Sequence, residues 1–357
     1  APVRFPAVAK RISLVVAVLT LVATSLAFTS GGSKDYSWQL TPTGSTASLR
    51  GLSAVSENVA WASGSGGTVL RTTNKGATWQ SVGPPGTEAL QFRDIEAFDR
   101  QNAVILSLGI PPTADSFRIY RTADGGQTWS LVFQNEEPTA FYDCMAFFDN
   151  HRGLALSDPI DGRFRILATG DGGQSWHIVD AEMPPALPAE FAFAASGQCI
   201  TTAGGRDAWF GTGGDAARIF HSGDRGQTWT VSSTPIRSGP SAGISALAFR
   251  DPLHGLAAGG DFDPTAASPD ALALSDDGGE DWQLVADPPD QLRSGATWVT
   301  GTDAIIVGLT GSDASFDRGL TWHSFDTGSF HTVDCAGGHA CWASGVNGRV
   351  AYLVRDR

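Results

Sequence analysis

The chain has 357 residues, 41% hydrophobic and 17% charged, with 43 glycines and 11 tryptophans. That is ample apolar mass for a large core and excludes a disordered tail. Lysine and arginine number 24 against 37 aspartate and glutamate; the first 34 residues hold four of the cations and no anion, leaving 20 against 37, or −17, for the rest. Such a surface repels phosphate backbones, so no nucleic acid is expected as a partner, and a basic protein surface is the better match.

In chain order, Arg4, Lys10 and Arg11 precede an uncharged run from Ile12 to Phe28, after which the chain turns polar. Residues 1–30 are expected to form one hydrophobic helix, either a signal-anchor or a cleaved signal peptide with Ser25-Leu26-Ala27 near the cut. The basic flank stays in the cytoplasm and everything beyond Ser30 crosses the membrane. Either the protein is single-pass in the cytoplasmic membrane with its bulk in the periplasm, or it is a secreted soluble periplasmic protein. Residues 31–35 form a linker too short to carry the domain far from the bilayer.

The rest is built on a repeat. TTNKGATW, TADGGQTW, TGDGGQSW, SGDRGQTW, SDDGGEDW and SFDRGLTW end at Trp79, Trp129, Trp176, Trp229, Trp282 and Trp322, at intervals of 50, 47, 53, 53 and 40 residues. That period suits a four-stranded propeller blade. The third position is Asn74, Asp124, Asp171, Asp224, Asp277 and Asp317. There an oxygen acceptor can bond nearby backbone N–H groups of a turn, while the glycine two positions on supplies a positive φ. Short β-prone runs flank each turn, and two more lie upstream, as in Cys144 to Phe148 and Leu154 to Ser157.

The chain ends share the last blade. Ala60-Trp61-Ala62-Ser63-Gly64 matches Cys341-Trp342-Ala343-Ser344-Gly345, and residues 349–354 have no octapeptide after them. Tyr36-Ser37-Trp38-Gln39-Leu40 resembles the missing outer strand, so it is expected to pair with 349–354 and close the ring without leaving a bare edge. The fold expected for 36–357 is therefore all-β: a seven-bladed β-propeller of four-stranded antiparallel blades. Cys335 and Cys341 flank a tight turn and can bond across it; Cys144 and Cys199, far apart in sequence, read as small buried residues.

The octapeptide resembles the Asp-box of BNR-repeat propellers, and blades opened by phrases such as Val59-Ala60-Trp61-Ala62-Ser63-Gly64 are most similar to the photosystem II stability/assembly factor family. The resemblance implies a non-enzymatic scaffold that binds subunits of a membrane complex, by extension a photosynthetic reaction-centre type complex, as an assembly factor or an accessory subunit. It carries no arginine cluster of the kind that family presents.

The alternative is a secreted carbohydrate-binding or sialidase-like propeller. Phe117-Arg118-Ile119-Tyr120 and Phe164-Arg165-Ile166-Leu167 are similar to a sialidase motif but precede later boxes, and only Tyr36, Tyr120, Tyr142 and Tyr352 offer a phenol nucleophile. A two-carboxylate glycosidase would draw on Asp94, Asp158, Asp161, Asp261 and Asp263. Asp261-Phe262-Asp263 matches no calcium-loop spacing, so no metal is assigned. No phosphate loop, dinucleotide fingerprint or triad order is present, so neither catalytic residue nor cofactor is assigned. Loops at the end opposite the boxes vary most in length, and they nominate Asp158, Asp161, Arg163, Arg237, Ser238, Asp261 and Asp263 as partner-binding candidates.

Overall fold

A computed structural model describes residues 35–355 apart from 110, 194, 264 and 265. The expected hydrophobic helix within residues 1–30 and nearly all of the linker lie outside the described residues. Among the described residues no helix is long and apolar enough to cross a membrane.

The described strands group into seven four-stranded antiparallel modules. In chain order they are Leu49–Ala54, Ala60–Gly64, Val69–Thr72 and Gln80–Ser81; Leu90–Ala97, Ala103–Gly109, Arg118–Thr122 and Ser130–Gln134; Tyr142–Phe147, Gly153–Ile160, Arg163–Thr169 and His177–Val179; Ile200–Ala203, Asp207–Gly214, Arg218–Ser222 and Thr230–Ser233; Ala242–Phe249, Gly255–Asp261, Leu272–Ser275 and Gln283–Leu284; Gly295–Trp298, Ala304–Gly308, Gly311–Ser315 and His323–Asp326; and Thr332–Ala336, Ala340–Ser344 and Val350–Arg355 completed by Tyr36–Leu40. Tyr36 lies opposite Arg355 and Leu40 opposite Ala351, so the two ends of the chain share one sheet in the expected way.

The first strand of each module touches the first strand of the next, and Thr332–Ala336 touches Leu49–Ala54, so the seven form a ring of inner strands. The fourth and fifth modules merge where Gly213 pairs with Gly243. A Cβ on either glycine would strike the other's Cα and the Phe193 ring, so the close approach requires glycine at both. Between modules sit apolar layers in which the octapeptide tryptophans take part. Trp229 joins Phe164, Phe210 and Phe220, and Trp282 joins Trp209, Ile244 and Leu247.

Each octapeptide is the turn between third and fourth strands. Its first hydroxyl accepts the N–H of the fifth residue, as from Gly126 to Thr122 at 2.9 Å and from Gly226 to Ser222 at 2.8 Å. The third-position oxygen accepts the N–H of the seventh, Thr128 to Asp124 at 2.9 Å and Thr321 to Asp317 at 2.9 Å. The fourth residue also takes positive φ, including Lys75, Arg225 and Arg318, which sequence alone did not signal. The hydrogen bonds from Thr128 hold the Asp124 carboxyl down at about 2.

A plugged channel as the candidate functional site

Four inner strands carry a β-bulge in their first half, and the residue outside the register is Arg50, Arg93, Asp143 or Ser245. Bulges re-aim side chains, and these four stand around the ring interior. The fourth module departs from the rest. Its inner strand is broken into Glu190–Ala192 and Ile200–Ala203, with a 3-10 turn at Gly197–Cys199 between them. Phe193 and residues 195–199 fold into the ring and plug it.

The plug is tied to nearly every side of the ring. Arg50 donates to the Ala195 carbonyl at 2.8 Å, and Ser196 Oγ donates to the Ser294 carbonyl at 2.7 Å. The Gln198 amide donates to the carbonyls of Ala296 and Val333 at 2.9 and 3.0 Å and accepts from the Ala296 N–H at 3.0 Å. Gly197 passes so near Asp94 that an added Cβ would lie on its carboxylate. Cys199 is bonded to Cys144 of the third module, and Cys335 to Cys341 directly across the first hairpin of the last module. The reading of Cys144 and Cys199 as merely small and buried is thus corrected. They are remote in sequence but meet because the plug lies against the third inner strand. Replacing Gln198 by alanine is expected to cost about 1–3 kcal/mol, because it orphans the carbonyls of Ala296 and Val333 and the N–H of Ala296; urea unfolding measures it.

The plug separates two electrostatic environments. Toward the mouth formed by the module links, Arg50 and Arg93 stand near His331, whose Nε2 is 2.9 Å from Ser48 Oγ. Burial and then the two guanidiniums push His331 down to about 3. Toward the mouth formed by the turns lie Asp94, Glu96 and Asp334, around a cavity of about 160 Å³ also lined by Ser53, Thr201 and Thr202. Asp94 accepts the N–H of Met145 from the next module at 2.7 Å, and Asp334 that of Ala54 at 2.7 Å. Burial nonetheless raises Asp94 to about 7 and raises Asp334 and Glu96, with mutual repulsion adding to the last.

The nominated residues do not form one cluster. Asp158 is drawn inward, accepting the Ala192 N–H at 2.8 Å, and burial lifts it to about 7 beside Asp143, which burial and the Asp158 charge also raise. Asp161 sits at the tip of the following turn with a φ of 52°, and Arg163 is exposed beside it. Arg237, Ser238 and Asp263 are exposed on the fifth module, where Asp261 accepts from Ser241 Oγ at 2.8 Å. Asp94 faces the turn-side cavity, away from the link loops that carry the other four carboxylates. Sequence reasoning missed the plug, whose one signal was Cys199 with an unmatched cysteine in the preceding module.

No family model and no curated protein matches the chain. Solved propellers do. YCF48 bound to D1 peptide superposes with a TM-score of 0.66 at 16% identity, over 89% of this chain and 95% of that one. YCF48 from Cyanidioschyzon merolae gives 0.57 at 15%, over 88% and 98%. The GH74 enzyme of Niastella koreensis gives 0.59 at 13%, over 87% of this chain and 53% of that one. Identities this low speak to fold alone. The resemblance to the assembly-factor propellers first read from the repeats therefore has its counterpart in structure: this chain is a β-propeller similar to YCF48.

Proposed function

We propose that the chain is a seven-bladed, non-enzymatic propeller that binds subunits of a membrane complex, of photosynthetic reaction-centre type, from the extracytoplasmic side. The observation that carries this reading is the match to YCF48 bound to D1 peptide along nearly the whole of both chains. The channel supports it. Asp94, Asp158 and Asp334 each accept a backbone N–H from a neighbouring module, and the plug occupies the axis where a substrate would sit. These bonds give Asp94, Asp158 and Asp334 a part in holding neighbouring modules together. The uncharged run at 12–28 would anchor the domain in the cytoplasmic membrane, with the propeller in the periplasm.

A mild-detergent pull-down of the native protein, with mass spectrometry of its partners and of its own N-terminal peptide, tests both parts. Stoichiometric membrane-complex subunits together with peptides from residues 1–28 are the expected result. Recovery alone, free of membrane, would sink the scaffold reading and direct attention to glycan binding.

A further inference from the structure

The two disulfides differ in access. Cys144, Cys199 and Cys341 are fully buried, while Cys335 is half-buried. Cys335 shares one face of its strand with Val333, and that face packs against Val299 and Val307 of the sixth module. A hollow of about 910 Å³ opens there on the turn face, and Cys335 forms part of its wall with Trp298, Val299, Gly301 and Gly338. One end of this bond therefore stands at the solvent boundary. The Cys144–Cys199 bond lies instead within the apolar layer of Leu156, Phe164 and Phe210.

The hairpin that carries the exposed bond has other means of holding its shape. Its strands pair in unbroken register from Thr332 opposite Ser344 to Ala336 opposite Ala340. The turn is closed by the His339 N–H on the Ala336 carbonyl at 3.3 Å, and Arg355 clamps it by donating to the Gly338 carbonyl at 2.7 Å. The Cys335 N–H is held by Asp334 Oδ1 at 2.8 Å. Opening the bond leaves all of these in place. A bond across a separation of 6 residues also gains less from the fold than one across 55, because what a cross-link adds to the fold is what the fold adds to the cross-link.

We propose that Cys335–Cys341 is a thiol-exchange site, reduced and re-formed on the folded protein by a dithiol partner, while Cys144–Cys199 is a permanent fastening of the plug. A thiolate of the partner attacks Cys335 Sγ. The S–S bond breaks, its electron pair leaves on Cys341 Sγ, and that sulfur takes a proton. A second thiolate of the same partner then attacks the partner's sulfur in the mixed disulfide. The electron pair returns to Cys335 Sγ, which takes a proton in turn. Two thiols of this chain are thereby formed as one dithiol is oxidised to a disulfide, and the reverse sequence restores the bond. The exchange does not depend on which subunits the propeller binds; it needs only a compartment in which disulfides persist.

The test titrates the full chain, without denaturant, in mixtures of reduced and oxidised dithiothreitol. Thiols are trapped with N-ethylmaleimide and located by mass spectrometry, and circular dichroism follows the fold. Cys335 and Cys341 are expected to be labelled about a hundredfold or more faster than Cys144 and Cys199, with the native spectrum kept. At equilibrium the hairpin bond is expected to reduce about thirtyfold more readily than the plug bond, equivalent to about 45 mV, from the two loop lengths. A second measurement identifies the sulfur that is attacked. The Cys335 thiol of Cys341→Ser is expected to form a mixed disulfide with oxidised glutathione about tenfold or more faster than the Cys341 thiol of Cys335→Ser. Labelling of the two bonds at like rates, a hairpin bond no easier to reduce than the plug bond, labelling of Cys335 only as the native spectrum is lost, or faster adduct formation at Cys341 overturns the inference.

Discussion

Removing the Cys144–Cys199 bond is expected to lower the unfolding free energy by about 4 kcal/mol, against about 2 kcal/mol for the Cys335–Cys341 bond. The difference follows from loop length. The first bond closes a separation of 55 residues and the second of 6, and the entropy withheld from the unfolded chain grows with the logarithm of the loop. Both Cys144 and Cys199 are fully buried, so the double alanine variant also leaves a small void in the layer that holds Leu156, Phe164 and Phe210. Loss of the bond also frees the plug from the third module, leaving Arg50, Ser196 and Gln198 as its remaining ties. Urea unfolding of the two double variants, Cys144→Ala/Cys199→Ala and Cys335→Ala/Cys341→Ala, measures the ranking. Equal losses would show that the plug bond is not the longer-range constraint described here.

The contrast between turn and plug explains what the sequence discloses. The octapeptides are local: hydroxyl, acceptor and glycine lie within eight residues, so their hydrogen bonds can be anticipated from spacing. The shared last module was legible for a similar reason, since Tyr36–Leu40 repeats the pattern of a strand found elsewhere. Gln198 is the opposite case. Its partners Ala296 and Val333 are remote in sequence, and nothing near residue 198 announces them. Asp158 was selected as a loop residue, yet its surroundings are set by Ala192 and Asp143, which only the closed ring brings within reach. The repeat thus announces the scaffold, while the features that distinguish this chain from a bare propeller are long-range contacts.

Stability is expected to fall as pH rises from 6.5 to 8, and Glu96→Gln is expected to recover part of that loss. Asp94 and Asp158 are raised to about 7 by burial, and Asp143, Glu96 and Asp334 are also raised. A carboxyl with a raised native pKa releases its proton earlier in the unfolded chain than in the folded one. Its cost is absent below about pH 4, grows as pH rises, and is complete above the native pKa. His331, held near 3, works in the other direction, but at pH 6.5 the unfolded histidine is already half neutral, so only about 0.4 kcal/mol of its contribution is gained above that pH. The turn aspartates, such as Asp124 and Asp149 near 2, no longer titrate there in either state. The window from 6.5 to 8 therefore belongs to the channel acids. Among them Glu96 is the clean probe, because Asp94 and Asp334 accept backbone N–H groups that an amide would serve less well. Neutralising Glu96 relieves its own burial cost and its repulsion of both neighbours, which is worth about 1–3 kcal/mol at pH 8. Near pH 4, where Glu96 is protonated in the fold and half-protonated in the unfolded chain, the gain should shrink to a few tenths of that. Urea midpoints of the two proteins at pH 4, 6.5 and 8 decide the matter: a gain that is the same at all three would mean that Glu96 acts through packing and not through charge.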